Sequence, residues 1–307
     1  MTLHHAFTVK HGTTTLVGLT NLDVQTNPEV QNETGIGSQF PQFVAVVAQK
    51  PRMLFAARQV AAALALTGST GVAIDGTNNL VAYFASVGTD GLPASGSVHR
   101  TYTAVRGLLL PRRLTAAHRR PAQLDMDAML YSSDGAAHPL VIADNVALPT
   151  LTPANVEHTL GPISLGITGD VFTFGCATNL TIDFGNNAAT RGCNSDLYDK
   201  HVEQPGIRPI ATITGLNATA FGSAGVPPVG KKLDHTETVI YLRKRDEGIG
   251  FVADATAEHI KLTMNGVAVV TQHTGQGTAA AEVTVQIYGS WDGTLAPITI
   301  DTASAIT

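Results

Sequence analysis

The chain has 307 residues, long enough for one large domain or two of ordinary size, and its 44% hydrophobic content is ordinary for a globular protein. Charged residues make up only 14%, so Thr, Ser, Ala, Asn and Gly cover much of the surface, and such a surface is easily desolvated against a copy of itself. A formal charge of −5 excludes the basic footprint of a general nucleic-acid binder.

The N-terminal stretch Met1–Ala6 has neither the basic segment nor the long apolar run of an export signal, and no later run approaches a membrane span. Synthesis and folding in a cytoplasm are expected. Period-two alternation then predicts strands at Ala6–Lys10, Thr14–Leu19, Gln42–Ala48, Arg52–Ala57, Leu80–Ser86, Ser97–Leu110 and Ala122–Ser132. In the second half it predicts Ile207–Thr214, Glu237–Lys244, Glu258–Met264, Val267–Thr271 and Glu282–Tyr288. One helix is predicted near Arg58–Leu66, with Val60, Ala61, Leu64 and Ala65 on one face and Gly68 as its stop. Asn265-Gly266 reads as a hairpin turn. The fold class is mainly β, with one short flanking α-helix in the first half.

Slid along itself by 158 positions, the sequence matches in two blocks. Thr20-Asn21-Leu22 falls on Thr178-Asn179-Leu180, and Ser132, Asp134, Gly135 and Pro139 fall on Ser290, Asp292, Gly293 and Pro297. Between the blocks the best match slips, so that Phe43–Val47 aligns with Pro209–Ile213 and Phe55 with Phe221. Each copy closes with an alternating strand, an Asp-Gly turn and a Pro-led strand. The reading is a tandem duplication with domains at 1–150 and 151–307, divided in the Pro-containing stretch 148–153. Gly222–Pro228 stands where the first copy has its helix and is not helical in type.

Constellations that would carry chemistry are weak. Asp125 and Asp127 share a strand face, as paired catalytic carboxylates do, but alternation makes that face the wet side of a sheet. Asp183-Phe184-Gly185 spells a kinase metal motif without any of its companions and reads as a turn. The eleven histidines are scattered, and Cys176 and Cys193 read as reduced structural thiols. No catalytic residue, cofactor or metal is expected, and the chain is read as non-enzymatic. Arg100, Arg106, Arg112, Arg113, Arg119 and Arg120 form a run uninterrupted by any acid. Such a run suits a neighbouring subunit's acidic surface or is a solvated loop. The second half carries the excess acid, with fourteen acidic against nine basic residues.

The N-terminal hairpin ending in Gly18–Val24, the polar stretch through Asn27-Pro28 and Glu33-Thr34-Gly35, Phe40–Val44, Pro51–Phe55 and the Ala-rich helix resemble, as a layout, the tail tube proteins of long-tailed bacteriophages. The resemblance implies two tandem β-sandwich or half-barrel tube domains. It further implies packing of copies into rings that stack as a hollow tube for genome delivery. With two domains per chain the rings would be trimeric and pseudo-sixfold. Implied partners are the chain itself, tape-measure, tail terminator and distal tail proteins, and DNA passing without sequence-specific binding. The implied location is the virion tail, assembled in the host bacterial cytoplasm. The polar loop bearing Asp23, Asn27, Glu29, Glu33 and Gln39 would reach the next ring, and the arginine run would face a subunit interface or the outside. A tandem β-sandwich adhesin or another tail or baseplate component is the competing reading, and a glycoside hydrolase using Asp125 and Asp127 a more distant one.

Overall fold

The computed structural model describes residues 3–37, 39–151, 157–167, 170–193, 196–216, 230–248, 250–275 and 281–307. In the N-terminal half the strands are β1 His4–His11, β2 Thr14–Leu16, β3 Leu19–Gln25, β4 Pro28–Glu33, β5 Phe43–Gln49 and β6 Arg52–Ala57. After helix α1 (Val60–Thr67) come β7 Val72–Ile74, β8 Leu80–Ser86, β9 His99–Ala104, β10 Gly107–Ala117, β11 Arg120–Leu130 and β12 Leu140–Val146. The C-terminal half continues with β13 His158–Ile167, β14 Asp170–Thr173, β15 Ala177–Asp183, β16 Asn186–Arg191, β17 His201–Ile207 and β18 Ile210–Gly215. It ends with β19 Lys231–Lys244, β20 His259–Met264, β21 Gly266–Thr274, β22 Glu282–Gly289 and β23 Ile298–Ser304. The chain is mainly β, and every ladder between strands is antiparallel.

Alternation sets these strands because successive side chains point to opposite faces. Along β22, Val283, Val285 and Ile287 are buried, while the residues between them reach outward. In the N-terminal half the sheet β12-β9-β8-β1-β2 lies against a second sheet containing β3, β6, β11, β10 and β7. Val9, Leu80 and Ala82 from the first share one core with Phe55, Leu109, Leu124 and Met126 from the second. That is a sandwich, with α1 packed on β10 and β11.

The same ladders recur in the C-terminal half. β3, β4, β5, β6 and β12 are followed 158 positions later by β15, β16, β17, β18 and β23 with identical bounds in that frame. The bulge between Leu19 and Asn21 recurs between Ala177 and Asn179. Across β21 and β22 the frame is 159, since Arg113 opposite Asp125 corresponds to Gln272 opposite Thr284. β19 takes the places of both β7 and β8, pairing at its start with β21 and later with β13 and β20.

Several expectations change. The slipped alignment is overturned: β5 answers to β17 without a slip, and Pro209–Ile213 answers to Pro51–Phe55. Phe221 and Gly222–Pro228 lie outside the described residues. Ser97–Leu110 divides at Val105–Arg106, where the chain leaves β9 for the other sheet as β10. Asn265-Gly266 is the same crossover and not a hairpin, because β20 pairs with β19 and β23 and β21 with β22. Gly266 is required there, since a Cβ would stand 2.0 Å from the Tyr288 carbonyl oxygen. The buried face of α1 is Val60, Ala63, Leu64 and Thr67. Gly68, at φ +56, donates its N–H to Leu64 and ends the helix as expected. Cys176 and Cys193 are exposed, so neither is a packed core thiol.

The two Asp-Gly turns are built alike. The Asp134 carboxylate accepts the N–H groups of Ala136 and Ala137, and Asp292 accepts those of Thr294 and Leu295. These backbone donors hold Asp134 at about 2, below the usual carboxylate range, and lower Asp292 as well. A lowered folded-state pKa contributes stability above the unfolded value, near 4, that is lost as pH falls through the folded value. Wild-type melting temperature should therefore fall between about pH 4 and pH 2, and Asp134→Asn with Asp292→Asn should flatten that fall, as thermal melts across the window would read.

Candidate self-association edges

The two halves are joined edge to edge. Residues Arg113–Ala117 of β10 pair with β15, placing Arg113 opposite Asp183, Leu114 opposite Ile182 and Thr115 opposite Thr181. This ladder makes one sheet path from β14 to β3 through both halves. Leu114, Leu180, Ile182 and Phe184 are buried along it. Phe184, in the expected Asp183-Phe184-Gly185 turn, donates its N–H to the Arg112 carbonyl at 3.0 Å.

Asn186, at the start of β16, pins the joint. Its Nδ2 donates to the Pro111 carbonyl at 2.7 Å and the Ser69 carbonyl at 3.2 Å, and its Oδ1 accepts from Gln204 Nε2 at 2.9 Å. Beneath it the expectation of a wet carboxylate face fails. Asp127 is fully buried, bonded by the Arg52 guanidinium, with Arg112 Nε 3.7 Å away. Arg112 also donates to the Asn186 carbonyl at 2.8 Å. Asp125 shares the face and pairs with Arg113 at 3.1 Å, so both carboxylates are spoken for by cations.

The arginine run is dispersed. Arg100 sits on β9 in the other sheet, paired with Asp144 at 2.6 Å. Arg106 lies at one end of β10, and Arg119 and Arg120 lie at the β10–β11 turn at its other end. Arg112 and Arg113 stand mid-strand, and the Arg112 side chain reaches the Asn186 carbonyl of the other half. The expected polar loop is largely a hairpin, β4 with β5. Asp23 lies on β3, Glu29 and Glu33 on β4, and Gln39 in the connecting turn, while Asn27, at φ +41, donates to the Lys50 carbonyl. Val30, Phe43, Val44 and Val46 on this hairpin are exposed.

Both sides of the internal joint have counterparts elsewhere in the chain. β21 is the counterpart of β10, and among the described residues its ladder with β19 covers Val267 and Ala268. β3 is the counterpart of β15 and pairs only with β6 among the described residues. Leu22 and Val24 on β3 are only half-buried where their counterparts Leu180 and Ile182 are closed off. Sequence reading missed these edges because pairing partners are non-local; the 158-position frame marks β3 and β15 as equivalents, whereas β10 and β21 are related by 159. Among the described residues no cluster of His, Cys, Asp and Glu could hold a metal, and no helix is long and apolar enough to cross a membrane. No protein-family model matches the chain, and no curated protein matches it.

Asn186→Ala removes the two donors that bridge to Pro111 and Ser69, and should cost about 1–3 kcal/mol of stability by urea unfolding.

Proposed function

We propose that this chain is a structural virion protein, two tandem copies of a tube domain, that assembles head to tail into rings stacked as the hollow tail tube of a long-tailed phage. The observation that carries the reading is the β10–β15 joint, whose two sides recur in β21 and β3, with β3 pairing only with β6 among the described residues. A complementary pair of edges on one chain makes a heterologous contact, and such contacts generate rings when the rotation closes. In the frame of the internal joint, Gln272 of one copy meets Gln25 of the next, and Thr274 meets Asp23. Pairing removes edges that would otherwise be open to uncontrolled strand addition. Two domains per chain make three copies the number for a pseudo-sixfold ring.

The β4–β5 hairpin suits contact between rings. A two-stranded hairpin is marginal in water without cover, and this one exposes Val30, Phe43, Val44, Val46 and Val47. Passage of DNA without grip is supported by the pairing of Arg100, Arg112 and Arg113 with Asp144, Asp127 and Asp125. Tape-measure, terminator and distal tail proteins are the partners this role entails.

Lysines on a strand edge block pairing. Gln272→Lys with Thr274→Lys should hold the protein as a monomer in sedimentation velocity and electron microscopy at concentrations where the wild type forms rings. Both positions are exposed, so unfolding stability should stay within about 0.5 kcal/mol of wild type. Assembly undiminished by the two lysines would count against the edge contact.

A further inference from the structure

Residues 196–200, ahead of β17, reach across the internal joint and are seated in the N-terminal half. Ser132 donates its N–H to the Asp199 carbonyl at 2.8 Å, Tyr198 donates to Gly135 at 3.0 Å, and Gln49 donates to Leu197 at 2.8 Å. The Tyr198 ring lies 5.0 Å from the His138 ring and is 6% exposed. Gly135, at φ +80, lies directly under this loop: a Cβ there would stand 2.3 Å from Asp196 Oδ1. Plug and seat are thus joined by backbone hydrogen bonds and an aromatic contact.

Each part has a counterpart at an open end. The β4–β5 connection has the same length as β16–β17, and Phe40 holds the place of Tyr198, yet it is 76% exposed. The seat recurs as the turn Ser290–Ala296, shaped by Asp292 as the first is shaped by Asp134. Gly293, at φ +102, has nothing within 4 Å of where a Cβ would stand. Beside it Trp291, the sole tryptophan, is 70% exposed.

We propose that Phe40 of one chain seats on the Ser290–Ala296 turn of a second copy of the same chain. This contact deepens the head-to-tail assembly described above and rests on it. It is the internal Tyr198 contact repeated between molecules, with the same turn geometry in the seat and an aromatic side chain in the plug. Ala296 replaces His138, so the aromatic partner at this joint is Trp291, with which the Phe40 ring can pair. Plug and seat lie on different halves, so every copy offers one of each and the contact propagates in a single direction.

The test uses full-length protein with Cys176→Ser and Cys193→Ser, one preparation carrying Phe40→Cys and a second carrying Ala296→Cys, mixed, viewed by electron microscopy and then oxidised. The expected product is a mixed disulfide dimer, about tenfold or more in excess of either like-with-like dimer. Rings on the grid with like-with-like dimers or no cross-link would overturn the Phe40 seat and leave ring assembly standing. Monomers alone, with no cross-link, would overturn both. In a cysteine-independent arm, Phe40→Ser should leave the unfolding midpoint unchanged and raise the concentration needed for assembly about tenfold or more. Unaltered assembly of that variant would equally overturn the seat.

Discussion

The pairing of β10 with β15 is the contact on which the rest of the architecture depends. A strand edge presents a row of unsatisfied N–H and C=O groups wherever a sheet stops. Here one edge is closed inside the molecule, and its equivalents in the repeat are β3 and β21. In the proposed assembly the internal joint is the template, within one chain, for the contact between chains.

The two joints are not chemically alike. Inside the chain, Arg52, Asp127 and Arg112 form an ion network under β16. In the structural frame of the C-terminal half these positions are Ile210, Gln286 and Thr271, with no charge among them. A buried charged cluster tolerates no loose partner, which suits a joint made once during folding. A neutral edge loses less water-bound charge on closing, which suits a joint made between molecules. The seat on the open side likewise trades His138 for Ala296 and gains Trp291.

Strands whose two faces meet different surroundings were legible in the sequence. Glu282–Tyr288 alternates cleanly and forms β22 almost as read, and Arg52–Ala57 and Leu80–Ser86 match β6 and β8. β4 was missed because Pro28-Glu29-Val30-Gln31-Asn32-Glu33 is exposed throughout, leaving no buried face to impose a pattern. The slipped alignment arose where β-like segments resemble one another, and strand pairing corrects it. Asn265-Gly266 misled because a glycine needed for close approach looks the same in sequence as one needed for a turn. Of the site, Tyr198 and Phe40 carried no signal on their own. Their importance lies in one being buried and the other exposed at equivalent positions, which only three-dimensional placement distinguishes.

The most direct measurement is the symmetry and stoichiometry of the assembled particle, by cryo-electron microscopy with native mass spectrometry of the same preparation. The expected particle is a six-lobed hollow ring containing three chains, with a continuous sheet running from β21 of each chain into β3 of the next. A two-fold dimer built from like edges, or a ring in which β21 and β3 remain apart, would contradict it.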